Sequence, residues 1–254
     1  MPERSPQSDT VARLTDSGYA FLSAVEAATV LRVDLAQLNA LRDAWARLPR
    51  DAYLRDGGDY RSRRHTCFVQ AFSSGVLSAA PRRPHWQPTS YNALHGGLER
   101  WFEPIEAEVL TAPVWGKLVG AIGSLFQQVR QVDQWFIEAH QFRIDTANGI
   151  GRPTPEGAHR DGVDFVAVIL VGRRHVRGGE TRVFDATGPS GVRFTMQEPW
   201  SMLLMDDARV IHETTPIQPD TEQGMRDTLV LTYRAKGFQS PEGQDAMLSS
   251  ATKS

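Results

Sequence analysis

Cysteine and lysine are nearly missing from this chain. Cys67 is the single cysteine, so no disulfide can form within the chain. That usage fits a reducing compartment, and a cytoplasmic protein is expected. Lysine occurs only at positions 117, 236 and 253, which leaves arginine to carry almost all of the positive charge. Neither sign of charge is in excess: the formal net charge is -2, and nothing calls for a nucleic-acid or anionic-membrane partner. No apolar run has the length of a membrane span or of a signal-peptide core. Internal repeats and low-complexity blocks are absent too. What is present is 254 residues, 41% hydrophobic and 23% charged, an ordinary globular composition with enough apolar mass for one large core.

Texture divides the chain. Residues 1–15 read as a loose polar tail and 239–254, rich in Ser, Gly and Gln, as a flexible one. The span 16–238 reads as one domain, helical over about 16–130 and β-rich over about 131–238. Helices are expected over Asp34–Leu48, where Leu35, Leu38, Leu41, Trp45 and Leu48 recur at helical spacing, and over Leu98–Leu110 and Val114–Val129. Asp34 is a natural N-cap, with Gln37 as its capping-box partner. Short β-rich runs follow at Phe136–Ile144, Phe165–Val171, Thr181–Phe184, Val192–Met196, Ser201–Met205 and Thr228–Tyr233. Many short strands separated by turn residues predict a sandwich or barrel with helices packed outside it. Gly178-Gly179 reads as a hairpin turn.

The chemistry concentrates at His159, Asp161 and His212. Residues two apart on an extended segment point the same way, so His159 and Asp161 can offer a nitrogen and an oxygen to one ion. A histidine from a distant strand would complete a 2-His-1-carboxylate face. Such a face leaves coordination positions open, as non-haem Fe(II) oxygenases require for a chelating co-substrate and O2. His159-Arg160-Asp161 alone also fits a solvated turn. Downstream, Arg226, Thr228, Val230 and Thr232 share one side of a strand, and Leu229, Leu231 and Tyr233 the other. An arginine and a hydroxyl two residues apart would suit a carboxylate clamp, although Arg226 could equally pair with Asp227 or a loop acid. On Phe136–Ile144, Gln141 and Arg143 lie on one side and His140 on the other. Gln141 and Arg143 could line a cavity, as a co-substrate and a substrate contact, or sit on a solvated edge.

Several ordered motifs resemble a known family. They are Pro155-Glu156-Gly157-Ala158-His159-Arg160-Asp161-Gly162, Gly178-Gly179-Glu180-Thr181, Leu203-Leu204-Met205-Asp206-Asp207, Val210-Ile211-His212, Arg226-Asp227-Thr228-Leu229-Val230-Leu231-Thr232 and, upstream, Asp56 to Arg64. Together they resemble the bacterial 2-oxoglutarate-dependent hydroxylases of free amino acids, the L-isoleucine 4-hydroxylase-like family, over about residues 18–238. The resemblance implies a double-stranded β-helix, a jelly roll of the cupin kind. It implies Fe(II) on His159, Asp161 and His212, and Arg226 with Thr228 on the distal carboxylate of 2-oxoglutarate. It implies O2-dependent hydroxylation of an unactivated C–H bond of an aliphatic L-amino acid, with release of succinate and CO2. The acid at 161 argues against a halogenase, which needs a halide in that place. A substrate carboxylate would look to Arg61, Arg63 or Arg64 with help from Tyr60, although this stretch could equally be solvated; its ammonium would look to Asp164 or Glu180.

Other readings compete. His159-Arg160-Asp161 matches the letters of a kinase catalytic loop, but Val166 stands where that motif needs Asn, and no Asp-Phe-Gly follows. A cupin-type metalloenzyme would keep the three ligands and have no need of Arg226. A small-acid-binding sensor or carrier would bind without turnover. His65, His85, His95, His140 and His175 have no ligand spacing among themselves, Cys67 has no partner motif, and Trp200 reads as core or pocket wall.

Overall fold

The computed structural model describes residues 5–241. In chain order the elements are α1 (Pro6–Ser17), β1 (Tyr19–Leu22), α2 (Ala24–Leu31), α3 (Leu35–Asn39), β2 (Arg61–Ala71), β3 (Val76–Ala79), α4 (Ala107–Leu110) and α5 (Pro113–Val129). Then come β4 (Gln134–Asp145), β5 (Phe165–Arg174), β6 (Val176–Gly178), β7 (Thr181–Asp185), β8 (Gly191–Phe194), β9 (Met202–Asp206), β10 (Val210–Thr214), β11 (Ile217–Pro219) and β12 (Met225–Arg234). A seven-stranded sheet runs β1-β9-β5-β12-β4-β2-β3, a three-stranded sheet β10-β7-β8, and a pair β11-β6. This is the expected double-stranded β-helix with helices outside it.

Strand alternation sorts the large sheet into two faces. Ile137, Ala139, Leu229, Leu231, Tyr233, Phe165, Ala167 and Ile169 are buried in one cluster with Trp115, Leu118, Ile122 and Phe126 of α5. Phe126 stacks on Phe165 with ring centroids 4.5 Å apart. Two buried polar tips are satisfied by α5 carbonyls: Tyr233 donates to Val119 O at 2.8 Å and Trp135 to Gly123 O at 2.9 Å. Each such aromatic stabilises the layer by roughly 1.5–3 kcal/mol through apolar burial. The other face turns toward the small sheet, and Val166, Leu203 and Met205 meet Val183 and Val210 there.

Several expectations are corrected. The loose tail of 1–15 is a helix from Pro6, with Ser5 accepting from Ser8 N and Gly18 closing its C-terminus. The long helix over 34–48 splits into α3 and a 3-10 segment, Arg42–Arg47; Asp34 does cap it, through Ala36 N. The stripe over 98–110 is helical only in α4, because Pro104 disfavours a helix through the residue before it and the segment pairs sideways instead. Glu103 O accepts from His65 N, and Ile105 N donates to Thr66 Oγ1. The helical half also contains β2, an eleven-residue strand of the main sheet. Gly178-Gly179 is not a hairpin turn: β6 pairs with β11 and β7 with β10, so the glycines form a corner between sheets. The expected C-terminal tail lies outside the described residues from 242 onward.

Candidate metal centre

Register brings the chemistry to one face. β2, β4 and β12 pair so that Arg61, Ile144 and Arg226 form one cross-strand row, and Arg63, Phe142 and Thr228 the next. His65, His140 and Val230 form a third row, and Cys67, Glu138 and Thr232 a fourth. Side chains directly opposite in antiparallel strands share a face, and most of these rows line one cavity between the two sheets. A register shift between Asp227 and Thr228 against β5 puts a bulge beside the cavity.

Across the cavity, His159 and His212 exchange both backbone hydrogen bonds at 3.0 Å, so their rings leave the same face, with centroids 4.7 Å apart. Asp161 Oδ1 lies 3.8 Å from His159 Nε2 and its Oδ2 3.7 Å from His212 Nε2. The three ligand atoms all fall within 4.8 Å of one another. His159 Nδ1 donates to Gly157 O at 2.9 Å, which leaves the Nε2 lone pair free for an ion. Burial and the neighbouring His159 push the His212 pKa well down, so it stays neutral, the form that binds metal. For His159 burial pulls the other way from Asp161 and Glu156, whose charges outweigh it and raise the pKa.

The loop carrying Asp161 is held from below. Both carboxylate oxygens of Asp207, fully buried at the end of β9, accept backbone N–H groups, from Asp161 at 2.9 Å and from Gly162 and Val163 at 2.8 and 3.1 Å. Gln239 donates to the carbonyls of Asp161 and Gly162, and Gln87 donates to Asp161 Oδ1 at 3.2 Å. Gly162 has φ +73°, and a Cβ there would meet the Tyr91 ring at 2.5 Å, so only glycine fits without strain.

Arg226 stands in the same cavity, 3% exposed, with Nε and Nη2 lacking any partner among the described residues. Burial and the nearby Arg173 pull its pKa down to about 10, so it remains a cation at neutral pH. The sequence alternative, a pair with Asp227, is not what forms: Asp227 holds Arg143 through two bonds, 2.8 and 2.7 Å. A buried guanidinium without a counter-ion is costly, and a carboxylate ligand would relieve that cost. Thr228 lies beside it on the same face. Gly179 lies next to it with φ +69°, and a Cβ there would crowd Ile217 at 3.0 Å while only touching Arg226.

The other candidates divide. Arg61 and Arg63 line the cavity. Arg61 uses Nε on Asp51 at 2.7 Å and keeps Nη2 buried and unpaired. Arg63 lies between the rings of Phe102 and Phe142, 3.8 and 4.5 Å from their centroids, and its Nη2 donates to His140. Tyr60 donates to Asp56 instead, and Arg64 to Pro104 O. Asp164 pairs with Arg130, and Glu180 with Arg182. Gln141 and Arg143 point to the opposite face of β4, away from the cavity. The alternation was right, but it is the His140 face that turns inward.

Sequence reasoning missed a second cluster. His65, His85, Glu138 and His140 bring their ligand atoms within 4.8 Å of one another, all buried. Glu138 Oε2 accepts from His65 Nε2 at 3.0 Å and His85 Nδ1 at 2.7 Å. Arg63 can only donate, so the 2.8 Å contact with His140 Nδ1 puts that ring's proton on Nε2. These imidazole protons are committed to the carboxylate, and guanidinium groups stand close by. The set therefore suits an ion far less well than His159, Asp161 and His212 do. The signals that could have hinted at it are the i, i+2 placement of Glu138 and His140 on one strand and of Arg61, Arg63 and His65 on another.

Comparisons with known proteins agree with this picture. A family model described as 2OG-Fe dioxygenase matches residues 42–232. No curated protein matches the chain. Among solved structures, a bsmA homologue from Methylobium petroleophilum PM1 is 51% identical, with 95% of this chain and 98% of that one covered and a TM-score of 0.90. IDO from Bacillus thuringiensis is 18% identical over 93% of this chain and 98% of its own, with a TM-score of 0.75. TqaL, titled an Fe(II)/(alpha)ketoglutarate-dependent dioxygenase, is 19% identical over 93% and 94%, with a TM-score of 0.68. At such identities the last two likenesses are of fold.

Proposed function

The chain belongs to the 2OG-Fe dioxygenase family, and from that premise we propose that it hydroxylates an unactivated C–H bond of a free aliphatic L-amino acid. The family's cofactors are Fe(II), 2-oxoglutarate and O2, which together supply the oxidising chemistry and leave succinate and CO2. In this reading His159, Asp161 and His212 would hold the iron, and Arg226 with Thr228 would bind the distal carboxylate of 2-oxoglutarate. The observation that carries the site is the buried, unpaired Arg226 guanidinium in one cavity with the two histidines and the aspartate.

The substrate class rests on the charges and walls of the same cavity. The free Nη2 of Arg61 suits a carboxylate, and Glu138 and Glu156 provide negative charge for an amine. Phe142, Val168 and Val230 form an apolar wall for a hydrocarbon side chain. Opposite charges around an apolar wall match a zwitterion with an aliphatic tail. The motifs shared with amino-acid hydroxylases point the same way. Incubation with Fe(II), 2-oxoglutarate, O2 and a panel of free L-amino acids tests it by mass spectrometry. An added oxygen atom with matching succinate is expected; succinate no higher than without substrate, for every amino acid, would refute the substrate class.

A further inference from the structure

We propose that Glu138 and His85 form a fixed hydrogen-bond acceptor in the substrate subsite, with His85 Nε2 receiving the amine N–H of the substrate. The inference rests on the amino-acid reading above and adds the residue that reads the amine. Glu138 Oε2 lies 2.7 Å from His85 Nδ1. A carboxylate can only accept, so the His85 ring proton sits on Nδ1 and Nε2 carries the lone pair. Nothing among the described residues bonds that Nε2, and His85 lines the cavity. Burial, with Arg100 and Arg63 close by, lowers the His85 pKa to about 3 despite the charge of Glu138. The ring is therefore a neutral acceptor throughout the physiological range and not a proton donor.

The surroundings are built to hold this polarity. His65 donates a second bond to Glu138 Oε2, and His140 Nε2, protonated because Arg63 occupies Nδ1, faces the same oxygen at 3.7 Å. Burial alone would raise the Glu138 pKa, but the electrostatic pull of the His85 imidazole and the N–H bonds from His65 and His85 hold it well below the usual carboxylate range. The backbone of His85 exchanges two 3.0 Å bonds with Arg100, which fixes the segment. Two residues on, Gln87 touches Asp161, so the acceptor and the metal centre are linked by one short strap.

The test uses nitrogen-15 NMR of the histidine rings in full-length protein loaded with Zn(II), a diamagnetic stand-in, and 2-oxoglutarate. The His85 signals are assigned by their loss in His85→Gln. Wild type should show His85 protonated at Nδ1 only; an Nε2–H or doubly protonated ring at neutral pH overturns the proposal. L-Leucine, L-isoleucine and L-methionine are the probes, each with its desamino analogue. The Nε2 resonance should move with an amine-bearing probe and not with its analogue. Silence toward every amine, or equal response to the analogues, overturns it.

Kinetics give an independent arm. In Glu138→Leu the oxygen that accepts from both His65 and His85 is gone, so the His85 proton is no longer held on Nδ1 and Nε2 is no longer a fixed acceptor. KM for the amino acid should rise about 10- to 100-fold, the scale of one charge-assisted hydrogen bond, with kcat changed far less. His85→Gln, which can place an acceptor near the Nε2 position, should recover more of the loss than His85→Asn. Equal damage in both, through kcat alone, would mark the pair as merely structural. Failure of the amino-acid reading shows separately, as absence of succinate with every amino acid in the wild type.

Discussion

Replacing Arg226 with methionine should stabilise the ligand-free protein while abolishing its response to 2-oxoglutarate. Arg226 is 3% exposed and two of its nitrogens have no partner. Replacing even a paired buried charge by well-packed apolar side chains is often neutral or stabilising by roughly 1–4 kcal/mol, and an unpaired one has no Coulombic partner to lose. For a chain of this size each kcal/mol moves Tm by about 2–4 °C, so a rise of several degrees is expected. The opposite happens to co-substrate binding. A guanidinium fork on a carboxylate supplies two charge-assisted bonds of roughly 1.5–3 kcal/mol each. Their loss weakens 2-oxoglutarate by about 100- to 10,000-fold. Arg226→Lys keeps the charge without the fork and should lose about one bond, roughly 10- to 100-fold. Thermal melts with and without 2-oxoglutarate, alongside the 2-oxoglutarate dependence of succinate release, measure both effects. A methionine variant that melts earlier than wild type and still responds normally to 2-oxoglutarate would refute the reasoning.

Further outcomes follow from the same geometry. Asp207→Asn replaces an acceptor of three backbone N–H groups with a half-donor, and should lower Tm by several degrees and metal affinity at least tenfold, read by melts and metal titration. Gly162→Ala forces a side chain onto a left-handed backbone and into Tyr91, costing about 1–3 kcal/mol in a denaturant melt; Tyr91→Ala should restore only part of it. Metal binding should weaken as pH falls, because the proton competes for His159, whose pKa is raised above the ordinary imidazole value. The loss therefore begins on the alkaline side of 6.5, and His212, held neutral, adds nothing to it. Cys67 is buried beside Glu138, and burial pushes its thiol pKa far up, so iodoacetamide should label it only after unfolding.

The two faces of β12 were legible in the sequence because strict alternation of Arg226, Thr228, Val230 and Thr232 with Leu229, Leu231 and Tyr233 leaves one arrangement with an apolar back. The pairing of His159 with His212 was reachable only through motif order, since no local rule specifies which distant strand a histidine will meet. β4 shows the limit of periodicity. Alternation separates Gln141 and Arg143 from Glu138, His140 and Phe142, but both sets are polar, and only packing against α5 decides which one faces the cavity. β2 was hidden because its polar residues, Arg61, Ser62, Arg63, Arg64 and His65, read as a solvated stretch. Arg61, Ser62, Arg63 and His65 are nonetheless buried: Asp51 binds Arg61, His140 accepts from Arg63, and the rings of Phe102 and Phe142 cover Arg63. Glu138 and its three histidines come from three separate segments, and the i, i+2 spacing of Glu138 and His140 says nothing of which histidines from elsewhere join them.

Anaerobic titration of metal-free protein with Fe(II) addresses the metal centre most directly. About one equivalent per chain should bind in the wild type and in His65→Gln, and binding should weaken at least about a hundredfold in His159→Ala, Asp161→Ala and His212→Ala. Full-affinity binding in His212→Ala, together with its loss in His65→Gln, would contradict the assignment and move the iron to the Glu138 cluster.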